Sequence, residues 1–180
     1  ETWRARLLDG ADAKTPIAVL IGGPNSAYAF SRDEFGELTA YIVSLADQNF
    51  FPMITVSRRS PPEFSTYLRD QLAGHAHFLW NNDGDNPYTG ILGLAQHIIV
   101  TADSANMVGE ACATDAPVQV FELAGGNRKF RQFHGEMQAA GFTRTFRGDL
   151  TKRLSAPVNA TPDIAAALRR ALEAKRAASV

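Results

Sequence analysis

Very little in this sequence points to a specialised class of protein. Its single cysteine, Cys112, excludes an intrachain disulfide and fits a reducing compartment. Its 18 basic and 19 acidic residues leave a formal charge of -1, so no strong overall field draws it to nucleic acid or an anionic membrane. No apolar run approaches the roughly 18 residues of a membrane span, and no signal peptide opens the chain. We therefore expect a cytoplasmic protein that binds no nucleic acid and has no transmembrane segment, with peripheral membrane association left open.

Several motifs of well-known chemistries are also missing. Neither GxGxxG nor GxxxxGK[ST] occurs, which argues against a dehydrogenase or a P-loop enzyme, and no G-x-S-x-G elbow indicates a hydrolase. His75 and His77 would share one face of a strand, but the sequence offers no third metal ligand for them. The stretch "NNDGDNPYTG" departs from a calcium loop because Pro87 stands where an oxygen ligand is needed. We therefore expect no metal ion and no cofactor.

The residues that are present favour one globular domain over residues 1–180, with 45% hydrophobic and 21% charged residues. Five apolar runs have the length of β-strands, and their nearly continuous apolar character indicates strands covered on both faces. They are PIAVLI (16–21), FPMITV (51–56), HFLW (77–80), HIIVTA (97–102) and PVQVF (117–121). Helical patterns separate most of these runs. The alternation predicts a Rossmann-like α/β domain with a doubly wound parallel sheet.

Each helical pattern carries a start or stop signal. Ser31 and Glu34 form a predicted capping box, with Phe30 and Phe35 as a hydrophobic staple, and Ser60 is predicted to begin a second capping box. The other signals are Asn127 as a cap, Gly141 as a left-handed stop, and "TPD" (161–163) as the start of a last, alanine-rich helix with Ile164, Leu168 and Leu172 on its apolar face. Residues 142–160 are predicted to form a basic loop with one short strand.

Two polar turns follow the first and fourth strands, at the point where a doubly wound sheet binds its ligands. The first turn contains Gly22, Gly23, Asn25 and Ser26, and the second contains Asp103, Ser104 and Asn106. Glycine lets the backbone approach a ligand closely, and unpaired N–H groups at a helix start bind phosphate. We therefore predict phosphate binding by the first turn and Ser104, with Asp103 and Asn106 lining the cleft.

Further polar residues are predicted near the same edge of the sheet. Arg58 and Arg59 come at the end of the second strand, and arginine forks suit phosphate oxygens. Glu110 lies about 9 Å beyond Ser104 along a helix at 1.5 Å per residue, where a carboxylate could accept hydrogen bonds from a ribose. Asn86 and Tyr88, in a predicted turn, are placed near the cleft. Taken alone, a glutamate in the middle of a helix is more often a solvated surface group, and for either arginine alone a surface role and a binding role are about equally expected.

The segment "NPYTGILGLAQHIIVTADSANMVGEACATDAPVQVFELAGG" (86–126) resembles the mitochondrial fission Elm-type family, whose bacterial members are often labelled nucleoside-diphosphate-sugar epimerases. "GGPN" after the first strand and "SRR" followed by proline add to the resemblance. More distantly, the arrangement is similar to the carboxyl-terminal half of GT-B glycosyltransferases. That resemblance implies that Ser104 and Arg58 bind the diphosphate and Glu110 the ribose, while Gly22 and Gly23 line the donor cleft.

The resemblance implies the sugar-nucleotide-binding half of a GT-B-like glycosyltransferase, with a nucleoside-diphosphate sugar as substrate. Two alternatives stay open: an epimerase or hydrolase acting on a nucleotide sugar, and a non-catalytic module for interaction or membrane recruitment. The chain begins "ETWRARLLDG" without an initiator methionine, so we expect a fragment that lacks an amino-terminal domain and is inactive when isolated. The motifs do not specify the base, the sugar, the acceptor or a catalytic base.

Overall fold

Six parallel strands form one sheet in the part of the chain that the structure, a computed structural model, describes: residues 2–80, 82–151 and 158. The strands are β1 (Thr15–Ile21), β2 (Phe50–Val56), β3 (Phe78–Trp80), β4 (His97–Thr101), β5 (Val118–Phe121) and β6 (Thr143–Thr145). The helices are α1 (Thr2–Leu7), α2 (Arg32–Asp47), α3 (Pro62–Gln71), α4 (Tyr88–Leu94), α5 (Ala105–Cys112) and α6 (Arg128–Ala139). Hydrogen-bonded neighbours follow the order β3-β2-β1-β4-β5-β6.

This topology confirms the predicted doubly wound sheet. The chain moves outward from β1 through β2 to β3, crosses back to β4, and then moves outward in the other direction to β6. The five predicted strands agree with β1 to β5 within one residue at each end, and β6 lies in the segment 142–160 where a short strand is predicted. The predicted helix from 161–163, with Ile164, Leu168 and Leu172, lies outside the described residues. In the described part of the chain, no helix combines the length and apolar character needed to cross a membrane.

The core forms on both faces of the sheet because the central strands are apolar throughout. Residues 17–21 of β1 and 98–101 of β4 are all buried. Right-handed crossovers place α2 and α3 over one face and α4, α5 and α6 over the other. Burial of each Val, Leu or Ile side chain adds about 1.5–3 kcal/mol to the stability of the folded state. These two strands therefore form a stable base for the loops at their carboxyl ends.

Helix α2 begins with the capping box that the sequence predicts. The Ser31 hydroxyl oxygen accepts a hydrogen bond from Glu34 N at 3.2 Å, and Glu34 Oε2 accepts one from Ser31 N at 2.7 Å. The ring of Phe30 lies 5.8 Å from that of Phe35, as a hydrophobic staple requires. Phe30 has a φ of +53°, a conformation that costs a non-glycine residue about 1–2 kcal/mol. Its ring also packs on Phe64 of α3, at 5.8 Å, so burial offsets this strain.

The predicted second capping box at Ser60 is wrong. Helix α3 begins after Pro61, which caps it without any side-chain hydrogen bond. Ser60 instead donates its hydroxyl hydrogen to the carbonyl oxygen of Gly22 at 2.5 Å. The reason is that prolines at the start of α3 leave few free N–H groups to cap, while the buried Gly22 carbonyl needs a donor. Ser60 therefore ties the end of β1 to the turn after β2.

His97, at the start of β4, gives the protein a predicted pH-dependent stability. Its ring lies half-buried with its centroid 6.3 Å from that of Phe50, and burial lowers the pKa of His97. The unfolded chain therefore binds this proton more readily, so the residue costs stability as the pH falls below about 6.5. In urea unfolding between about pH 7.5 and 5, we expect the free energy of unfolding to fall less steeply in His97→Gln than in the wild type. If the free energy of unfolding falls with pH equally steeply in the two proteins, this prediction is wrong.

Candidate functional site

The turns after β1 and β4 are joined by direct hydrogen bonds at the carboxyl edge of the sheet. Gly22 N donates to Thr101 Oγ1 at 2.8 Å, and Gly23 N donates to Asp103 Oδ2 at 2.8 Å. Asn25 Nδ2 donates to the carbonyl oxygen of Asp103 at 3.0 Å. The two turns that the sequence analysis selects therefore lie side by side where the strand order reverses.

A buried carboxylate occupies the space between these turns. The side chain of Asp103 is fully buried, and besides the Gly23 amide it accepts the Thr101 hydroxyl at 2.6 Å. A Cβ atom added to Gly22 would lie 2.1 Å from Asp103 Oδ2, so glycine is needed for this close approach. Because the amides of Gly22 and Gly23 already donate to protein oxygens, an external phosphate at this edge has to be bound by other groups.

The two adjacent arginines after β2 have different surroundings. Arg59 Nη2 lies 3.4 Å from Asp103 Oδ2, which places a half-exposed guanidinium beside the buried carboxylate. Arg58 is exposed and points to a cavity, and within the described residues it forms no ion pair. Arg59 thus compensates an internal charge, whereas Arg58 presents its positive charge to the cavity.

A cavity of about 410 Å³ opens at the carboxyl ends of β2 and β3. Its lining comes from the end of β2, the end of β3, the loop before α4 and the first turn of α5: Thr55, Val56, Ser57, Arg58, Trp80, Asn82, Gly84, Asn86 and Met107. Its volume lies in the range of small-molecule sites, about 300–1,000 Å³. The mixture of apolar walls with a few polar groups is also typical of such sites.

Helix α5 borders this cavity with its amino-terminal half. Ser104 is the N-cap, and its side chain accepts a hydrogen bond from Met107 N at 3.4 Å. Met107 lines the cavity, and Glu110 lies three residues further on a neighbouring part of the helix surface. Glu110 is exposed, and its Oε2 accepts a hydrogen bond from the phenol of Tyr88 at 2.7 Å. A positive helix end, a cavity and a carboxylate therefore follow one another along one side of α5.

The predicted site residues fall into three groups. Arg58 and Asn86 line the cavity, with Tyr88 and Glu110 beyond it on α4 and α5. A second group forms the hydrogen-bonded network beside the cavity: Gly22, Gly23, Asn25, Arg59 and Asp103. The third group does not belong to the lining: Ser26 and Asn106, which are exposed, and Ser104, which caps α5.

Sequence reasoning missed several residues of this edge. Thr101 and Trp80 end β4 and β3, and their positions at the ends of apolar runs were the signal that could have indicated them. Met107 follows the N-cap by three residues, the helical spacing that faces the same way. Nothing in the sequence indicates that Ser60 reaches across to Gly22.

A larger cavity, of about 590 Å³, lies between α2 and α3. Its floor is the stacked pair Phe35 and Phe64, whose ring centroids are 4.2 Å apart, and Arg32 pairs with Glu63 at its rim at 3.8 Å. Among the described residues, those that line it all belong to α2 and α3 and none to a strand end. The smaller cavity is therefore the better candidate site, because it lies at the carboxyl edge of the sheet next to the reversal of strand order and is lined by Arg58, which has no ion pair among the described residues.

Comparisons with known proteins identify relatives over most of the chain. A family model described as Mitochondrial fission ELM1 matches residues 1–172. The Mitochondrial fission protein ELM1 of Arabidopsis thaliana is 30% identical over 166 residues, which cover 90% of this chain and 39% of that protein. The protein RP120 of Rickettsia prowazekii is 31% identical over 143 residues, or 74% of this chain and 39% of that protein. The chain thus spans about two fifths of the length of the curated relatives it matches.

Among solved structures, the UDP-GlcNAc 2-epimerase of Neisseria meningitidis bound to UDP-GlcNAc has a similar fold. It superposes with a TM-score of 0.52 and 18% sequence identity, covering 77% of this chain and 33% of that chain. At this level of identity the likeness establishes the fold alone. It confirms the predicted GT-B-like, Rossmann-like architecture.

Proposed function

We propose a function from one premise: the chain belongs to the mitochondrial fission ELM1 family, whose model matches residues 1–172. In this proposal the carboxyl edge of the sheet binds the diphosphate and ribose of a nucleotide sugar. The observation that carries it is Arg58, an exposed arginine lining a cavity at the end of β2, next to the reversal of strand order. The nucleotide sugar held by the Neisseria enzyme supports this choice of ligand class.

The diphosphate lies, in this proposal, between Arg58 and the start of α5. A guanidinium donates two parallel hydrogen bonds to phosphate oxygens, and the helix start adds unpaired amides and a partial positive charge. The glycine amides take no part, because Thr101 and Asp103 already accept their hydrogen bonds. The role of Gly22 is to let the Asp103 carboxylate pack against the backbone, while Gly23 leaves room for the Arg59–Ser60 backbone, since an added Cβ would lie 2.8 Å from Ser60 N.

The reaction we propose is glycosyl transfer, in which the diphosphate leaves. Negative charge then develops on the phosphate oxygens, and Arg58 and the amides at the start of α5 stabilise it. We assign no catalytic base to this chain. Epimerisation or hydrolysis of the nucleotide sugar would use the same contacts, so identification of the product distinguishes these reactions.

Nucleotide binding by the 180-residue chain tests the proposal. We expect UDP, GDP or ADP to raise the melting temperature, and the matching nucleoside without phosphates to have no effect at equal concentration. In Arg58→Ala the dissociation constant measured by calorimetry should rise about tenfold or more, since a hydrogen bond to a charged group is lost. Arg69→Ala removes the same charge from the far end of α3 and should leave binding unchanged.

Two results would overturn the proposal. One is that none of the three diphosphates binds the wild type. The other is that Arg58→Ala and Arg69→Ala weaken binding equally, because the effect would then be that of net charge rather than of a site. In the first case, capture of a protein or lipid surface by the chain would favour the non-catalytic module instead.

A further inference from the structure

Tyr88 of α4 and Glu110 of α5 are joined by a short hydrogen bond, and each lies within three residues of a residue that lines the smaller cavity, Asn86 or Met107. The phenol oxygen of Tyr88 lies 2.7 Å from Glu110 Oε2. Tyr88 is half-buried, whereas Glu110 is exposed. The better-packed residue of the pair therefore fixes the position of the more exposed one.

The position of Tyr88 is itself well defined by its helix. Asn86, which lines the cavity, accepts a hydrogen bond from Tyr88 N at its Oδ1 at 3.0 Å. Ile91, one turn further along α4, is fully buried. The backbone at Gly90 lies against α1, since an added Cβ would lie 2.8 Å from Trp3 Cγ. Both sides of α4 are thus anchored, and the phenol oxygen is held at a defined point beside α5.

The hydrogen bond has a defined direction. Burial and the neighbouring Glu110 carboxylate raise the pKa of Tyr88 far above its ordinary value, so the phenol keeps its proton at neutral pH and donates it. Glu110 then accepts at Oε2, and within the described residues Oε1 accepts no hydrogen bond. The carboxylate is therefore held in one orientation with an oxygen left for another donor.

We propose that Tyr88 is a positioning residue that orients Glu110 to accept hydrogen bonds from the vicinal hydroxyls of a ribose. This inference rests on the proposed function and adds a specificity to it: the site prefers nucleoside diphosphates over their 2′-deoxy forms. A glutamate side chain without such a partner loses rotamer freedom when it binds a ligand, and this loss weakens binding. Because the hydrogen bond from Tyr88 already restricts the Glu110 side chain, less freedom is lost when Glu110 binds the ribose hydroxyls.

The experiment compares each bound nucleoside diphosphate with its 2′-deoxy form, such as UDP with dUDP, by calorimetry. We expect the wild-type chain to bind the ribose form about tenfold more tightly, the loss expected for one hydrogen bond to a carboxylate. Glu110→Gln should remove most of this preference. Tyr88→Phe, which keeps the ring, should reduce it to about threefold or less while the affinity for the deoxy form stays unchanged. Tyr67→Phe, on the exposed face of α3, is the control and should change neither affinity.

Each outcome separates this inference from the proposed function. If the wild type binds neither form of any diphosphate, both fall. If it binds both forms equally, diphosphate binding stands and the ribose preference is overturned. If Tyr88→Phe keeps the full preference, or weakens both forms to the same extent, Tyr88 does not position Glu110 and has only a structural role.

Discussion

Replacing Asp103 with asparagine should lower the free energy of unfolding by about 3 kcal/mol, the cost of breaking a buried, hydrogen-bonded charge. The asparagine has the same shape, but one carboxylate oxygen becomes an amino group. That group would face a donor, either the Gly23 amide or the Thr101 hydroxyl, each of which now donates to Asp103. Arg59 would also lose its ion-pair partner. This loss lowers the stability less, because the Arg59 guanidinium is half-exposed.

Urea unfolding followed by circular dichroism measures this loss. Asp70→Asn is a suitable control because Asp70 is exposed at the end of α3, and its stability should stay within about 0.5 kcal/mol of the wild type. A similarly small change in Asp103→Asn would mean that the network does not hold the two turns together. The proposed geometry of the site would then lose its support.

Replacing Gly22 with alanine should cost about 3 kcal/mol as well, through a different cause. The added Cβ would lie 2.1 Å from Asp103 Oδ2 and 2.5 Å from its Cγ, so the buried carboxylate would have to move away from its donors. Gly135→Ala provides the matched control, because Gly135 is exposed in α6 and an added Cβ meets nothing within 4 Å. That change should stabilise the protein by up to about 1 kcal/mol, the difference in helix propensity.

A double-mutant cycle tests the stated cause of the Gly22 effect. In an Asp103→Ala background the carboxylate is gone, so Gly22→Ala should cost much less than in the wild type. The coupling energy between the two sites should therefore exceed about 1 kcal/mol, as expected for residues in direct contact. If the two changes in the free energy of unfolding are additive, Gly22→Ala destabilises the protein through the backbone conformation at residue 22 and not through contact with Asp103.

The prediction of the fold succeeded where local signals agreed with burial. The apolar runs of β1 and β4 are buried on both faces, as their unbroken character indicates. The cap of α2 at Ser31 and that of α6 at Asn127 form as predicted, since both depend on contacts within one turn. Gly141 has a φ of +74°, the left-handed conformation of a helix stop. The short helix α4 was not predicted, because its sequence has too few residues to establish a helical period.

The hydrogen-bond partners of the polar side chains at this edge could not be predicted from the sequence, because each polar group can bond to several others. Ser60 has the sequence context of a cap, yet it donates to Gly22 across the switch point. Asp103 was placed as a cleft-lining residue, whereas it is buried and faces inward. The neighbours Arg58 and Arg59 are the same residue type, and only the structure shows that Arg58 lines the smaller cavity while Arg59 lies beside an internal carboxylate.

Local sequence patterns were sufficient for the strands, their burial on both faces and two helix caps. These features follow from hydrophobic periodicity and from hydrogen bonds within a few residues. The pairing of Gly23 with Asp103, and of Tyr88 with Glu110, became visible only in the folded chain. The partners in these pairs are separated by 80 and 22 residues, and their contact depends on the crossovers that bring distant turns to one edge.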